Sequence, residues 1–195
     1  MKRLIVILST LALCFALSGG AYAQRYLPGQ RGLQFTAGTV NGVNLDIKSN
    51  DFAFHAGAAL STYTKHNDRW VFGFEYLEKR YPYKDISLPQ AQFTTEGGYY
   101  FKFLSDGSKT VFLSLGASAL AGYETINWNK QLLSDGASLQ NKDAFLYGGA
   151  LTLEMETFLT DWAVLLLNVR ERLLFGSSVG KFNTQLGLGI KFMLN

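Results

Sequence analysis

After residue 30 the chain settles into a rhythm of period two, apolar residues alternating with polar or small ones through eight successive segments. Neighbouring side chains of a β-strand point to opposite faces, so this rhythm predicts strands with one apolar and one polar face. In segment 32–40, Leu33, Phe35 and Ala37 oppose Gln34, Thr36 and Gly38. Segment 51–63 sets Phe52, Phe54, Ala56 and Ala58 against Ala53, His55, Gly57 and Ala59. Segment 69–80 opposes Trp70, Phe72, Phe74 and Tyr76 to Val71, Gly73, Glu75, Leu77 and Lys79. In 90–103, Ala91, Phe93, Thr95, Gly97, Tyr99, Phe101 and Phe103 alternate with Gln92, Thr94, Glu96, Gly98, Tyr100 and Lys102.

The second half repeats the pattern. Segment 110–124 separates Val111, Leu113, Leu115, Ala117, Ala119 and Tyr123 from Ser114, Gly116, Ser118, Gly122 and Glu124, with Phe112 and Leu120 as apolar exceptions on the polar side. Segment 144–157 sets Phe145, Tyr147, Leu151, Leu153 and Met155 against Gly148, Ala150, Thr152, Glu154 and Glu156. Segment 162–173 contains WAVLLLNV, continuously apolar and by periodicity alone compatible with a buried helix. The opposition of Leu165, Leu167 and Val169 to Asn168, Arg170 and Arg172 fits the series, and it turns Glu171 outward near one rim. Segment 181–193 closes the run, with Phe182, Thr184, Leu186, Leu188, Ile190 and Phe192 against Asn183, Gln185, Gly187, Gly189 and Lys191.

Eight such strands have one consistent home. In hydrocarbon no water satisfies an unpaired backbone N–H or C=O, so a membrane-crossing sheet must close on itself. The expected fold is therefore all-β, an eight-stranded antiparallel up-and-down outer-membrane β-barrel occupying 31–195 after a short polar lead, 24–30. A barrel of this size has an interior filled by side chains. Links at 64–68, 104–109 and 158–161 are short, and those at 41–50, 81–89, 125–143 and 174–180 are mostly longer. That alternation matches periplasmic turns and external loops.

Threading the strands up and down gathers Trp70, Phe101, Phe103, Trp162 and Phe192 at the short-turn end. Phe52, Phe54, Tyr76, Phe93, Tyr123, Phe145, Tyr147 and Phe182 gather at the other, giving the two aromatic girdles of a membrane barrel. The polar faces place Glu75, Lys79, Glu96, Glu124, Arg170 and Arg172 in one half of the lumen and Lys102, Glu154, Glu156 and Lys191 in the other. Each half holds both signs, and a lone buried charge costs several kcal/mol, so these residues are expected to pair as a structural lumen network.

The amino terminus adds export. Lys2 and Arg3 precede an apolar stretch, 4–17, and Ala21-Tyr22-Ala23 follows as an A-x-A site, the signature of a cleaved signal peptide spanning 1–23. The run is shorter than the ~20 residues a membrane helix needs. Cys14 reads as part of this apolar stretch, since Leu13 before it is too large for lipoprotein processing. It is the only cysteine, so the mature chain has no disulfide or thiolate chemistry. Loss of Lys2 and Arg3 leaves 16 basic against 15 acidic residues, no electrostatic basis for nucleic-acid binding. With 20 glycines, 15 phenylalanines, 10 tyrosines and 3 prolines, composition favours strands over helices.

Candidate chemistry is sparse. His66 sits in a Lys65-His66-Asn67-Asp68 turn, where solvation is the ordinary explanation, and His55 faces inward, where an imidazole beside serine and glutamate positions would imitate a lipid-modifying hydrolase. No spacing fixes a partner for it. Metal-binding and phosphate-binding motifs are missing. The expectation is a non-enzymatic protein with no cofactor, no catalytic or metal-site residues and no small-molecule substrate.

The mature start Gln24-Arg25-Tyr26-Leu27-Pro28-Gly29-Gln30-Arg31-Gly32-Leu33-Gln34, followed by Thr39-Val40-Asn41-Gly42, resembles the TraO family encoded in conjugative transposons of Bacteroides-type bacteria. Glu96-Gly97-Gly98-Tyr99-Tyr100 and the closing 187–192 segment resemble it too. The resemblance implies a conjugal transfer protein in the envelope part of a type IV secretion-like mating apparatus. Its expected partners are outer-membrane lipid and other transfer proteins, without direct DNA contact. A lipid-modifying barrel enzyme, a narrow channel and an OmpA/OmpX-like stability or adhesion barrel remain open alternatives.

Overall fold

The computed structural model describes residues 27–42, 53–83, 86–129, 138, 143–177 and 180–194. The expected signal peptide, Phe52 and most of the links at 41–50 and 125–143 lie outside the described residues.

Eight strands form one closed antiparallel barrel in chain order: β1 (Arg31–Val40), β2 (Ala53–Tyr63), β3 (Arg69–Tyr83), β4 (Ile86–Ser105), β5 (Val111–Ile126), β6 (Asp143–Phe158), β7 (Ala163–Phe175) and β8 (Phe182–Leu194). A short 3₁₀ turn, η1 (Asn127–Asn129), follows β5. The seam between first and last strand runs from Arg31↔Leu194 to Val40↔Gln185, so no sheet edge is left for hydrocarbon to meet. The faces follow the alternation: Val71, Glu75 and Leu77 of β3 are buried inside, while Trp70, Phe72 and Phe74 are exposed outside.

The seventh strand is a strand, in unbroken register with β6 from Tyr147↔Phe175 to Phe158↔Val164 and with β8 from Ala163↔Phe192 to Leu173↔Phe182. Its continuous apolarity has a local cause. Val164 and Leu166 point inward and pack with Tyr63, Phe112, Phe158 and Met193 as an apolar floor at the short-turn end. Phe112, an exception to the polar face of β5, belongs to that floor, and Leu120, the other exception, packs with Leu146, Ala150 and Leu174. Both faces of those stretches are apolar because the barrel is closed inside by side chains and not by water.

One expectation is corrected. The longer link at 81–89 does not exist, because β3 continues to Tyr83 and β4 begins at Ile86, with pairs from Arg80↔Pro89 to Tyr83↔Ile86. Pro82 and Pro89 lie within this paired extension. They are tolerated because they lie beyond Ala53↔Lys79 and Gln90↔Ile126, the last pairs with the outer neighbours β2 and β5 among the described residues, so the missing N–H breaks no ladder described there. Elsewhere strand ends move by one or two residues, and a bulge shifts the β4–β5 register between Lys102 and Leu104.

Candidate functional site: a charged lumen between two aromatic girdles

Inward positions of seven strands, β2 to β8, converge on two ionic storeys. The upper one, toward the end bearing the links at 41–52 and 127–142, is built around Glu75 of β3. The pairs Thr152↔Arg170 and Arg170↔Gln185 put a guanidinium and its polar neighbours on one inward row facing it. Glu75 lies 2.9 Å from Arg172 Nη1 and 3.3 Å from Arg170 Nη1, and it accepts a hydrogen bond from Gln185 Nε2 at 2.8 Å. Arg170 Nη2 also meets Glu96 at 2.9 Å and donates to the Tyr100 hydroxyl at 2.9 Å, while its Nε donates to Thr152 Oγ1 at 3.0 Å. Arg172 Nη2 donates to Thr94 Oγ1 at 3.1 Å. Nearer the rim, Glu124 accepts from Gln90, Gln92 and Ser177 at 2.7 to 2.8 Å, and Lys79 donates to Asn183 Oδ1.

The lower storey is centred on Arg69. Its Nη2 is 2.5 Å from Glu154 Oε1, and its Nη1 is 3.1 Å from Glu156 Oε2 and from Ser114 Oγ. Lys191 Nζ pairs with Glu156 and donates to the Tyr63 hydroxyl at 3.0 Å, and that hydroxyl donates to Glu156 Oε1 at 3.0 Å. Beneath it lies the apolar floor. In the two storeys the buried acids Glu75, Glu124, Glu154 and Glu156 and the half-buried Glu96 face the buried bases Arg69, Lys79, Arg170, Arg172 and Lys191, while the buried Asp68 lies apart at the short-turn end. A charge removed from water needs a partner nearby, and Arg69, Arg170, Arg172 and Lys191 each have a carboxylate within 3.3 Å.

Not every residue singled out from the sequence joins these clusters. Lys102 is half-buried at the short-turn end, where its backbone N–H donates to Asp68 Oδ1 at 2.9 Å, and its side chain takes no part in the pairs above. Conversely, Arg69 and Tyr63 were not singled out, although Arg69 shares the odd-numbered face of β3 with Glu75, which was the available signal. His66 is exposed in the link at 64–68, whereas His55 is buried with Nδ1 3.5 Å from Glu75 Oε2. The cavity beside His55 holds about 20 Å³, room for about one water, and neither serine nor cysteine lines it. Among the described residues no cluster of His, Cys, Asp or Glu is arranged to hold a metal ion.

The outside inverts this chemistry. Trp70 and Tyr99 (ring centroids 4.9 Å apart) and Trp162 and Phe192 (5.8 Å) form contacts of a girdle at the short-turn end. Phe54, Tyr76 and Phe93 form a chain of rings at the other end, with Tyr76 5.9 Å from Phe54 and 5.1 Å from Phe93, and Tyr147 and Phe175 (5.7 Å) belong to the same girdle. Between them stand exposed Leu151, Leu153, Val169 and Leu188. Exposed apolar surface on this scale calls for a non-aqueous neighbour. Glu171, the outward acid, accepts a hydrogen bond from Thr184 Oγ1 at 2.5 Å, two residue pairs from Leu173↔Phe182 at the girdle.

Solved structures share this architecture. Neisserial surface protein A is similar at a TM-score of 0.50 and 11% identity, covering 87% of this chain and 99% of that one. Ail, the attachment invasion locus protein of Yersinia pestis, is similar at a TM-score of 0.51 and 10% identity, covering 86% and 100%. At such identities the likeness is one of fold. No curated protein matches the chain. The family model described as conjugative transposon protein TraO matches residues 27–194, which contain all eight strands of the barrel. The chain belongs to the TraO family of conjugative transposon proteins.

Proposed function

We propose that this chain is exported by its amino-terminal signal, inserted in the outer membrane, and serves there as a structural, anchoring component of the type IV secretion-like mating apparatus of a conjugative transposon. Membership of the TraO family supports the conjugative setting. The observation that carries the structural role is the lumen: two ion-paired storeys and an apolar floor fill it, leaving beside His55 a cavity of about 20 Å³. Such an interior has no room for a nucleic-acid strand, so the barrel acts as a pin in the membrane and not as the conduit. The short links face the periplasm, and the links at 41–52 and 127–142 face outward to contact partner transfer proteins or the recipient surface.

Deletion of the gene from a donor strain tests this. Transfer frequency should fall and be restored by the wild-type gene in trans. Undiminished transfer by the deletion strain removes the conjugative role.

A further inference from the structure

We propose that the projecting β3–β4 hairpin and Trp128 form a binding site for a sugar ring of the outer-leaflet glycolipid. The inference rests on the outward orientation proposed above for this end of the barrel.

The site begins with the extension of the hairpin past its neighbours. Beyond Ala53↔Lys79 and Gln90↔Ile126, β3 and β4 pair only with each other among the described residues, and alternation turns Glu78, Arg80, Ser87 and Pro89 to the outer face. The turn η1 packs back on β4 and brings Trp128 over the same face. Together these five residues line an open depression of about 390 Å³, within the range of small-ligand sites.

Its chemistry suits a neutral polyol. Trp128 is 54% exposed, and among the described residues no ring or hydrogen-bond partner meets its indole. It is held at φ 51 between Asn127 (φ 51) and Asn129 (φ 65), a left-handed run that residues with a Cβ seldom adopt and that proteins retain where a side chain must be presented. Arg80 Nε donates to Glu78 Oε1 at 3.0 Å, and Glu78 Oε2 accepts from the Tyr76 hydroxyl at 2.7 Å, so the ion pair is fixed and neutral overall. The Arg80 side chain is 40% exposed. A pyranose laid on the indole brings its C–H face against the aromatic surface and its hydroxyls toward the Arg80 guanidinium and the Glu78 carboxylate. An isolated phosphate would meet the Glu78 carboxylate at the same place.

Position selects the source of the sugar. The pair Tyr76↔Phe93 belongs to the aromatic girdle, Glu78↔Ala91 lies one step above it, and Arg80↔Pro89 one step further. An outer-face site just above the girdle lies at the depth of lipid head groups, beside the saccharides of lipids in the same leaflet.

The test uses the full mature chain folded in detergent without lipopolysaccharide, titrated with deacylated lipopolysaccharide and separately with soluble capsular polysaccharide, with tryptophan emission and calorimetry as readouts. Saturable binding of the deacylated lipopolysaccharide is expected, weakened at least about tenfold in Trp128→Ala and in Arg80→Gln. Both variants should keep the wild-type folded band on an unboiled gel. The absence of saturable binding, or a Trp128→Ala variant that titrates like wild type, overturns the site. Binding of the capsular polysaccharide alone overturns the glycolipid source. Labelling of Pro82→Cys, at an exposed position of the same hairpin, on intact cells by an impermeant maleimide reports orientation separately: failure to label refutes the outward topology and with it the leaflet assignment, while loss of sugar binding in a labelled protein refutes only the site.

Discussion

Tyr100 and Arg69 face each other at the middle of the lumen, with the guanidinium carbon 4.8 Å from the ring centroid. The hydroxyl of the same tyrosine accepts from Arg170 at 2.9 Å, so one side chain forms the partition between the two ionic storeys. Its ring fits because Gly116 lies beneath it: a Cβ there would stand 2.6 Å from Tyr100 Cε1.

Gly116→Ala is therefore expected to displace the ring and disturb both storeys. Overpacking of this kind costs roughly 1–3 kcal/mol. Urea unfolding in phospholipid vesicles measures it, and wild-type stability in this variant would show that the partition carries no stress.

Arg170→Leu removes the cation shared by Glu75 and Glu96. Leaving buried carboxylates without it is expected to cost about 3–5 kcal/mol. The temperature at which the folded band disappears from an unboiled gel should drop, and an unchanged temperature would argue against the pairing.

Arg69 and Glu154 should be energetically coupled, being 2.5 Å apart with both side chains buried. In a double-mutant cycle with Arg69→Met and Glu154→Gln, the interaction term should reach about 0.5–3 kcal/mol, whereas sites without shared partners add to within about 0.5 kcal/mol. Additive single effects would contradict the lower storey.

A lumen closed by two storeys and the floor of Phe112, Phe158 and Leu166 should not carry current. Purified protein in planar bilayers is expected to give a silent trace at ±100 mV, roughly the membrane-potential scale. Reproducible unit steps absent from a refolded blank would contradict the plug.

The fold was legible because a barrel in hydrocarbon imposes one rule, apolar outside and polar or small inside, on most positions of every strand. Glu75 and Arg170 could thus be assigned to the interior from alternation. Their contact could not, since it depends on the stagger that sets Arg170 opposite Thr152 and Gln185, and closure determines that stagger. Arg69 escaped notice because it is the first residue of its strand, where the boundary is least certain. The longer link expected at 81–89 is paired strand instead, and Pro82 and Pro89 are accommodated in it beyond the last described pairs with β2 and β5. In WAVLLLNV the inner face is itself apolar, so alternation vanishes from the sequence while the strand persists.

Leu188 gives the most direct test that the outer face meets lipid. It is 56% exposed on β8 between Phe182 and Phe192, flanked across the ladder by Ala37 and Leu167, with no acid opposite. On a water-exposed surface Leu188→Arg would change stability by no more than about 0.5 kcal/mol. Facing hydrocarbon near the midplane, it should cost about 2–4 kcal/mol. Urea titration of the folded protein in phospholipid vesicles should show a loss of that size, and a loss within about 0.5 kcal/mol would contradict a membrane-spanning barrel.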